Sequence, residues 1–278
     1  MPAAARNLTP PSGWCTLSPM DKLTPELVAA GLGTRWLAHR IVYFESIGST
    51  NDEARCLAQE GTPEGTLVVA EAQTAGRGRL QRRWLAPVGQ ALLFSLVFYP
   101  QIEPRAFFQL TMLASLSCLH AVRSQTGLTP QIKWPNDLLL HGRKLAGVLS
   151  ELGQTAERLH GIVGIGLNVN VDFTPFPELH GQATSLCEVL GTTVPRLPLL
   201  QEILRWFENG YDRLRAGHSP YAEWSANLAT LGQEVRVVTS EGSFTGRATS
   251  VDPDGTLHLT LADGTARRIM VGDVEHLR

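Results

Sequence analysis

The chain lacks the features of secreted, membrane-spanning and zinc-binding proteins. Its four cysteines are far apart and form no C-x-x-C pair, so we expect neither a disulfide framework nor a structural zinc site. No apolar run approaches the ~20 residues of a transmembrane helix. The first residues also lack the apolar centre of a secretory signal. We therefore expect a cytoplasmic protein with no membrane partner.

The chain also has few lysines and a small net charge. Of the 24 basic residues only three are lysine, and the formal net charge is −2. Proteins that bind nucleic acid through its phosphates are usually strongly basic, so we expect no nucleic-acid partner. Lysine is a compact charge that arginine does not replace in geometry. Two of the three lysines, Lys133 and Lys144, lie close together, which marks their segment as a candidate site.

Hydrophobic periodicity and turn residues divide the chain into three parts. Residues 1–40 are predicted to be an N-terminal extension, disordered over its Pro- and Ala-rich first 20 residues and weakly helical over 24–39. Residues 41–229 mix strands and helices, as in an α+β domain. Residues 230–278 contain short strands separated by acid-Gly turns, which predicts a small β-barrel.

The densest cluster of positive charge is the segment QTAGRGRLQRRW at 73–84. Gly76 and Gly78 allow backbone N–H groups to approach a ligand closely. The four arginines in this segment present planar donors to a phosphate or a carboxylate. The third glycine of a dinucleotide fingerprint is missing, and the chain has no P-loop sequence. The segment is therefore predicted to be a loop that closes over an anion, with a solvated basic loop as the alternative.

Two strand-associated segments present further polar groups. Residues 133–137 (KWPND) predict a rigid elbow that displays an ammonium, a ring, an amide and a carboxylate. In the next strand Lys144, Ala146 and Val148 are expected to share one face, which would partly desolvate Lys144 and suit it to an anionic ligand. The alternative is an edge-strand lysine that prevents aggregation.

A glycine-rich strand follows at 164–170 (GIGLNVN). Glycines inside a strand indicate that something approaches its backbone closely, although packing alone would also explain them. Asn168 and Asn170 are expected to lie on one face of this strand.

In this order and spacing the motifs resemble those of the biotin–protein ligases, which attach biotin to a carboxylase carrier domain. The resemblance includes STN at 49–51, AGRGR at 75–79 with Trp84, KWPND at 133–137, RKLAG at 143–147 and GIGLNVN at 164–170. It implies a class II synthetase-like catalytic domain, with a mixed sheet and helices on one face, followed by a small SH3-like β-barrel. It also implies an ATP-dependent enzyme that makes biotinyl-5′-AMP and transfers biotin to a carrier lysine.

The resemblance implies roles for individual residues. Those expected to bind biotin are Ser49, Thr50, Gln73, Gly76, Arg77, Lys144, Gly147 and Leu149. Those expected to bind ATP or the adenylate are Gly78, Arg79, Arg82, Trp84, Lys133, Asn136 and Asn168. The expected catalytic residues are Lys144, Arg77, Arg79 and Asp137. Mg²⁺ is expected to arrive with ATP, near Asp137, without a side-chain metal cluster. An apolar biotin pocket is expected from Trp134, Ala146, Val148 and Leu149.

Some family features differ here or stay open. Leu80-Gln81-Arg82 stands where the family loop often continues Arg-Gly-Arg, so we expect slower loop closure. Residues 1–40 are too few for the winged helix of the family's repressors, and DNA binding is not expected. A lipoate or octanoate ligase or transferase of the same fold is the alternative activity, and a non-enzymatic biotin sensor is another. Monomer and homodimer both remain open.

Overall fold

The computed structural model describes residues 21–101, 103, 106–155 and 158–277. The expected disorder of residues 1–20 lies outside these ranges. The helices of the first domain are α1 (Pro25–Ala29), α2 (Thr50–Gln59), α3 (Phe108–Thr126), α4 (Leu186–Leu190), α5 (Arg196–Arg215) and α6 (Tyr221–Ala226). Its strands are β1 (Ile41–Phe44), β2 (Leu67–Ala70), β3 (Ala91–Phe98), β4 (Gln131–Lys133), β5 (Asp137–Leu140), β6 (Arg143–Gln154) and β7 (Leu159–Asn168). No helix in these ranges is both long and apolar enough to cross a membrane.

The first domain is built on one seven-stranded mixed sheet. The strand order is β1-β2-β3-β7-β6-β5-β4, with β1 and β2 parallel and the other neighbours antiparallel. The long helices α3 and α5 pack together over one face, where alternate residues of the central strands form the main core. The short helix α2 packs against β2, β3 and β7 around a second apolar cluster that includes Val68 and Val97. The predicted α+β fold is confirmed.

Residues 21–40, assigned above to an N-terminal extension, pack against the catalytic sheet. Only 25–29 are helical, and Leu23 and Val28 are fully buried in the main core. The fully buried Arg196, at the start of α5, donates to Asp21 and to Glu71 beyond β2. Because a buried charge is tolerated only when it is paired, this network ties the segment to the domain.

A second buried carboxylate fixes the turn before β1. Glu208 on α5 is 4 % exposed and accepts hydrogen bonds from the backbone N–H groups of Arg35, Trp36 and Leu37 at 2.8–2.9 Å. Burial opposes the ionisation of Glu208, but these bonds and the Arg35 charge outweigh it, so the pKa of Glu208 lies below its ordinary value. Its ionised form therefore stabilises the fold above the ordinary pKa.

Replacing this carboxylate provides a test by pH. Glu208→Gln is expected to lower the free energy of unfolding by about 1–3 kcal/mol at neutral pH, because charged hydrogen bonds are lost. The difference from the unmodified chain should shrink as the pH falls through the folded-state pKa, since the carboxyl is then neutral in both states. Urea unfolding at pH 7 and at acid pH measures this, with exposed Glu60→Gln as the control. An equal loss at both pH values would contradict the assignment.

The second domain is a small antiparallel barrel-like sheet. Its strands are β8 (Glu234–Thr239), β9 (Gly242–Val251), β10 (Leu257–Leu261), β11 (Ala266–Ile269) and β12 (Asp273–His276), in the order β11-β10-β9-β8-β12. The ring N–H of buried Trp134 donates to the carbonyl of Gly255 in the β9–β10 turn at 2.8 Å. The backbone N–H of Trp134 donates to Thr230 at 3.0 Å. The elbow at 133–137 is therefore fixed against the second domain.

Candidate active site

A cavity of about 830 Å³ lies on the sheet face opposite α3 and α5. Its walls come from β6, β7, the start of α2, the Gly/Arg-rich loop, the 133–137 elbow, residues 179–183 and β12. Every residue predicted to bind biotin or the adenylate, or to be catalytic, lines it except Gly76. Gly76 lies at the base of the loop, where its carbonyl accepts from the N–H of Trp84 at 3.0 Å. The volume falls within the range of small-molecule sites.

One end of the cavity carries a buried polar cluster at the start of α2. Ser49 and Thr50 are 3 % and 4 % exposed. The Gln73 side-chain oxygen accepts from the Thr50 backbone N–H at 2.7 Å and is 3.1 Å from the Thr50 hydroxyl. Ser95 on β3 lies behind them, with its hydroxyl 2.8 Å from that of Thr50. Fixed hydroxyls and an amide at one end of a cavity can form hydrogen bonds to a neutral polar ring such as a cyclic urea.

Two glycines of β7 make room for the side chains that shape this face. A Cβ on Gly164 would lie 1.8 Å from the Asn51 side-chain oxygen. A Cβ on Gly166 would lie 2.5 Å from the Trp84 ring, and one on Gly147 of β6 would lie 3.1 Å from the same ring. The close approach that glycines in a strand predict is therefore made by Asn51 and Trp84, which form part of the cavity wall.

The orientation of Lys144 differs from the prediction. Lys144 was expected to share a face with Ala146 and Val148, but the β5–β6 register shifts at this point, so that Lys144 pairs with Leu139 and Ala146 with Leu138. This bulge turns both Leu145 and Ala146 into the core. The Lys144 side chain instead lies on the face of Gly147, where a Cβ would be 3.3 Å from its Nζ.

Lys144 forms the central charged pair of the cavity. Its Nζ is 2.7 Å from the Asp137 carboxylate and 5.6 Å from the centre of the Trp84 ring. The pair lies where the elbow meets β6, so a positive and a negative side chain reach the same point of the cavity. An anion placed there could take Lys144 as its partner in exchange for Asp137.

The apolar part of the cavity also differs from expectation. Trp134 and Ala146 are buried in the main core and do not line the cavity, because Trp134 packs toward the second domain and the bulge turns Ala146 inward. Val148 and Leu149 do line it. Trp84 supplies the ring at this wall instead of Trp134.

The Gly/Arg-rich loop is a short hairpin that extends over the cavity. Arg77 and Arg83 face each other as a backbone bridge, and the N–H of Gly78 donates to the Arg82 carbonyl at 2.7 Å. At its tip Leu80 and Gln81 have φ values of 52° and 62°. Residues other than glycine rarely adopt these φ values. The loop that the motifs resemble often has a glycine within the segment that matches Leu80-Gln81-Arg82, so its replacement here places strain at the tip.

The arginines of the loop point in different directions. Arg77 turns outward and forms a two-pronged ion pair with Glu151 on β6. Arg82 pairs with Asp273 on β12 of the second domain. Arg79 points toward the elbow and donates to the Asn136 side-chain oxygen at 3.2 Å. Burial lowers the pKa of Arg79. Arg79 is thus a desolvated cation beside the Lys144 pair, suited to a phosphate.

Two buried polar atoms at the cavity lack a hydrogen-bond partner within the described part of the chain. They are the side-chain oxygen of Asn168 and the indole N–H of Trp84. Asn168 is 3 % exposed, and its amide nitrogen donates to the carbonyl of Thr184 at 3.1 Å, which leaves the oxygen as an acceptor. Buried polar atoms without partners are rare, and these two are placed to bond a molecule in the cavity.

The expected role of Asn168 at a nucleotide can be tested separately from the expected biotin-binding role of the polar cluster at the start of α2. Asn168→Leu is expected to raise the KM for ATP by up to about tenfold, because a neutral hydrogen bond contributes ~0.5–1.5 kcal/mol. The affinity for biotin in the absence of ATP should not change. Steady-state kinetics and calorimetry measure the two quantities. A loss confined to biotin binding would contradict a role for Asn168 at the nucleotide.

Lys133 and Asn136 complete the side of the cavity near the second domain. Lys133 lines the cavity close to His276 of β12. Burial and then the charge of Lys133 lower the pKa of His276. The Asn136 amide nitrogen donates to the carbonyl of Val148, which fixes its oxygen toward Arg79. Both residues thus line the cavity on the side of the second domain.

Sequence reasoning missed three residues of the site. Asn51 belonged to the quoted STN motif, but only the fold shows that it contacts Gly164 and Glu151. Glu151 follows RKLAGVL on the same strand and carried no motif of its own. Asp273 lies in the other domain, far along the chain, and no local pattern connects it to Arg82.

The comparisons with known proteins agree with this geometry. The family model "Biotin/lipoate A/B protein ligase family" matches residues 43–168, and "Biotin protein ligase C terminal domain" matches residues 230–277. A biotin–[acetyl-CoA-carboxylase] ligase of Mycobacterium tuberculosis is 34 % identical over 271 residues, covering 94 % of this chain and 97 % of that protein. The bifunctional ligase/repressor BirA of Bacillus subtilis is 36 % identical over 267 residues, covering 95 % of this chain and 82 % of that protein.

A solved structure leads to the same family. The biotin protein ligase of Aquifex aeolicus, solved in complex with biotin and ATP, aligns with a TM-score of 0.74 and 29 % identity, covering 86 % of this chain and 99 % of that one. The family models fall on the two domains described above, and the relatives cover almost the whole chain. The chain therefore belongs to the biotin/lipoate A/B protein ligase family, and within it to the biotin protein ligases.

Proposed function

We propose that this chain is an ATP-dependent ligase that converts biotin to biotinyl-5′-AMP and transfers the biotinyl group to a lysine of a biotin carboxyl carrier domain. The observation that carries the proposal is the meeting of Lys144, Arg79 and Asp137 in one cavity that also holds the polar cluster of Thr50 and Gln73. One end of this cavity suits a neutral polar ring, and the middle suits an anion. Biotin and ATP together have these chemical features.

In the first step, a biotin carboxylate oxygen attacks the α-phosphorus of ATP and pyrophosphate leaves. Lys144 is placed to bring the two anions together, and it exchanges the Asp137 carboxylate for them. Arg79 stabilises the charge that grows on the phosphoryl oxygens. The Asn168 oxygen and the Trp84 indole N–H offer one acceptor and one donor to the adenylate.

In the second step, the amine of the carrier lysine attacks the carbonyl carbon of the mixed anhydride and AMP leaves with the bonding electrons. The amine must lose a proton as the amide forms. Asp137 is our candidate for orienting the amine and accepting that proton, since its carboxylate becomes available once Lys144 pairs with the α-phosphate. Until the carrier arrives, the loop at 76–84 covers the anhydride and excludes water.

Mg²⁺ fits this site as a companion of the nucleotide. No group of three or more His, Cys, Asp or Glu side chains within the described ranges is arranged to hold a metal ion. Asp137 is a carboxylate at the cavity, and phosphate oxygens and water are the ligands that Mg²⁺ usually keeps. When bound, the ion offsets phosphate charge, while Lys144 and Arg79 hold the α-phosphate.

The test is the mass of a carrier domain incubated with this protein, ATP, Mg²⁺ and equal amounts of biotin and lipoate. The proposal predicts a gain of one biotinyl group, which depends on ATP. A gain of a lipoyl group would favour the alternative ligase of the same fold. Tight biotin binding with no turnover would favour a sensor.

Only the ligase activity is carried over from the relatives. Several of them, including the Bacillus subtilis protein, are named ligase and repressor. We propose that this chain acts without DNA binding, in keeping with its net charge of −2. Specific binding of this protein to the promoter of a biotin-biosynthesis gene would contradict that part of the proposal.

A further inference from the structure

We propose that Glu151 is a positioning residue that holds the Gly/Arg-rich loop over the cavity through Arg77. This inference rests on the proposed function only for its consequence in catalysis, because the contact itself is independent of any ligand. Glu151 lies on β6, two residues after Leu149, which lines the cavity.

The Glu151 carboxylate joins three parts of the domain. From the loop, Arg77 donates to its two oxygens at 2.7 and 3.1 Å. From α2, the Asn51 amide donates to it at 2.8 Å, and Arg55 donates at 3.2 Å. Two-pronged pairs of arginine and carboxylate fix orientation as well as distance. The loop is therefore oriented relative to β6 and α2 at this carboxylate.

This contact differs from ordinary surface ion pairs in its burial and support. The Glu151 side chain is 24 % exposed, whereas Asp52, the other acid that Arg77 contacts, is 48 % exposed. Asn51, whose amide donates to Glu151, is 4 % exposed, and its side-chain oxygen accepts from the Ser95 hydroxyl at 2.6 Å. Exposed pairs contribute little, but a half-buried carboxylate fixed by several donors retains its geometry.

The same contact assigns different tasks to the loop arginines. The Arg77 side chain donates to Glu151 and Asp52, on the outer side of the loop. Arg79 is directed inward. Arg77 therefore anchors the loop, and Arg79 is the arginine placed to meet the ligand.

The experiment uses trypsin on the full chain without ligands, because the loop carries its own arginines as cleavage sites. Glu151→Gln is expected to raise the rate of cleavage after Arg79 and Arg82 about tenfold, with an unchanged melting temperature. The same variant should release bound biotin about tenfold faster. Arg55→Met, which removes another partner of Glu151 without touching the loop, is the matched control and should change both rates much less.

A double-mutant cycle separates positioning from general loosening. If Glu151 acts through Arg77, adding Glu151→Gln to Arg77→Met should produce little further change in cleavage or biotin release. Unchanged rates in Glu151→Gln, or fully additive effects in the double variant, would overturn the proposal. The cleavage result does not depend on ligase activity, so a failure of the proposed function would leave it intact.

Discussion

Replacing Lys144 by alanine is expected to slow the formation of biotinyl-5′-AMP by about 10²–10³-fold, the usual cost of removing one preorganised donor from a developing charge. Lys144 is the lysine whose Nζ lies 2.7 Å from Asp137, where the elbow meets β6. Without it, the Asp137 carboxylate faces the incoming anions without a partner, which adds repulsion to the loss of attraction. Biotin-dependent release of pyrophosphate measures the step directly.

Two further variants make the Lys144 result specific. Lys144→Arg should also be strongly impaired, because a planar guanidinium does not reproduce the compact ammonium that lies beside Asp137 and the Trp84 ring. Lys22→Ala should retain full activity, since Lys22 is a half-exposed residue whose nearest acid, Glu45, is 3.8 Å away and outside the cavity. Normal pyrophosphate release by Lys144→Ala would exclude the role assigned to this lysine.

Gly166→Ala is the second substitution with a large expected effect. Its Cβ would lie 2.5–2.9 Å from three atoms of the Trp84 ring, so the ring must leave its place in the cavity wall. Misplacing a positioning group by about 1 Å can cost ~10²-fold in rate, and overpacking costs about 1–3 kcal/mol in stability. We expect about a 10²-fold loss of biotin-dependent turnover, measured together with the melting temperature.

The control for this substitution is another glycine in the same domain. Gly48→Ala adds the same methyl group where no atom lies within 4 Å, and it should leave turnover unchanged. If the clash with Trp84 is the cause, Gly166→Ala should add little to the defect of Trp84→Ala. Full activity in Gly166→Ala would show that the ring is not needed in this position.

Much of the fold follows from local patterns that a sequence displays. The nearly continuous apolar run of β3 and the helical spacing of α3 depend on neighbours a few positions apart, and both elements form where expected. The site residues were located by motifs, since short segments such as KWPND carry their polar groups with them. Of the predicted site residues, all but Gly76 and the two buried pocket candidates, Trp134 and Ala146, line one cavity.

Other features depend on contacts between distant residues and could not be predicted. The bulge at Lys144 arises from the register of β5 against β6, so alternation alone assigned the wrong face. Arg77 and Arg79 are two positions apart in one motif, yet one is bound by Glu151 and the other by Asn136. Leu23 is buried because it packs against the main core. Its neighbours in the sequence are polar, so the sequence around it did not indicate this burial.

We propose that Lys144, Arg79 and the polar end of the cavity together activate biotin. To test this, the protein is mixed with biotin, Mg²⁺ and ATP labelled at the α-phosphate, without a carrier, and the products are separated after acid quenching. Labelled biotinyl-5′-AMP should form in stoichiometric yield. When a carrier domain is added, the adenylate should disappear and the carrier should gain the biotinyl group. ATP that stays intact in the presence of biotin and Mg²⁺ would contradict biotin activation at this site.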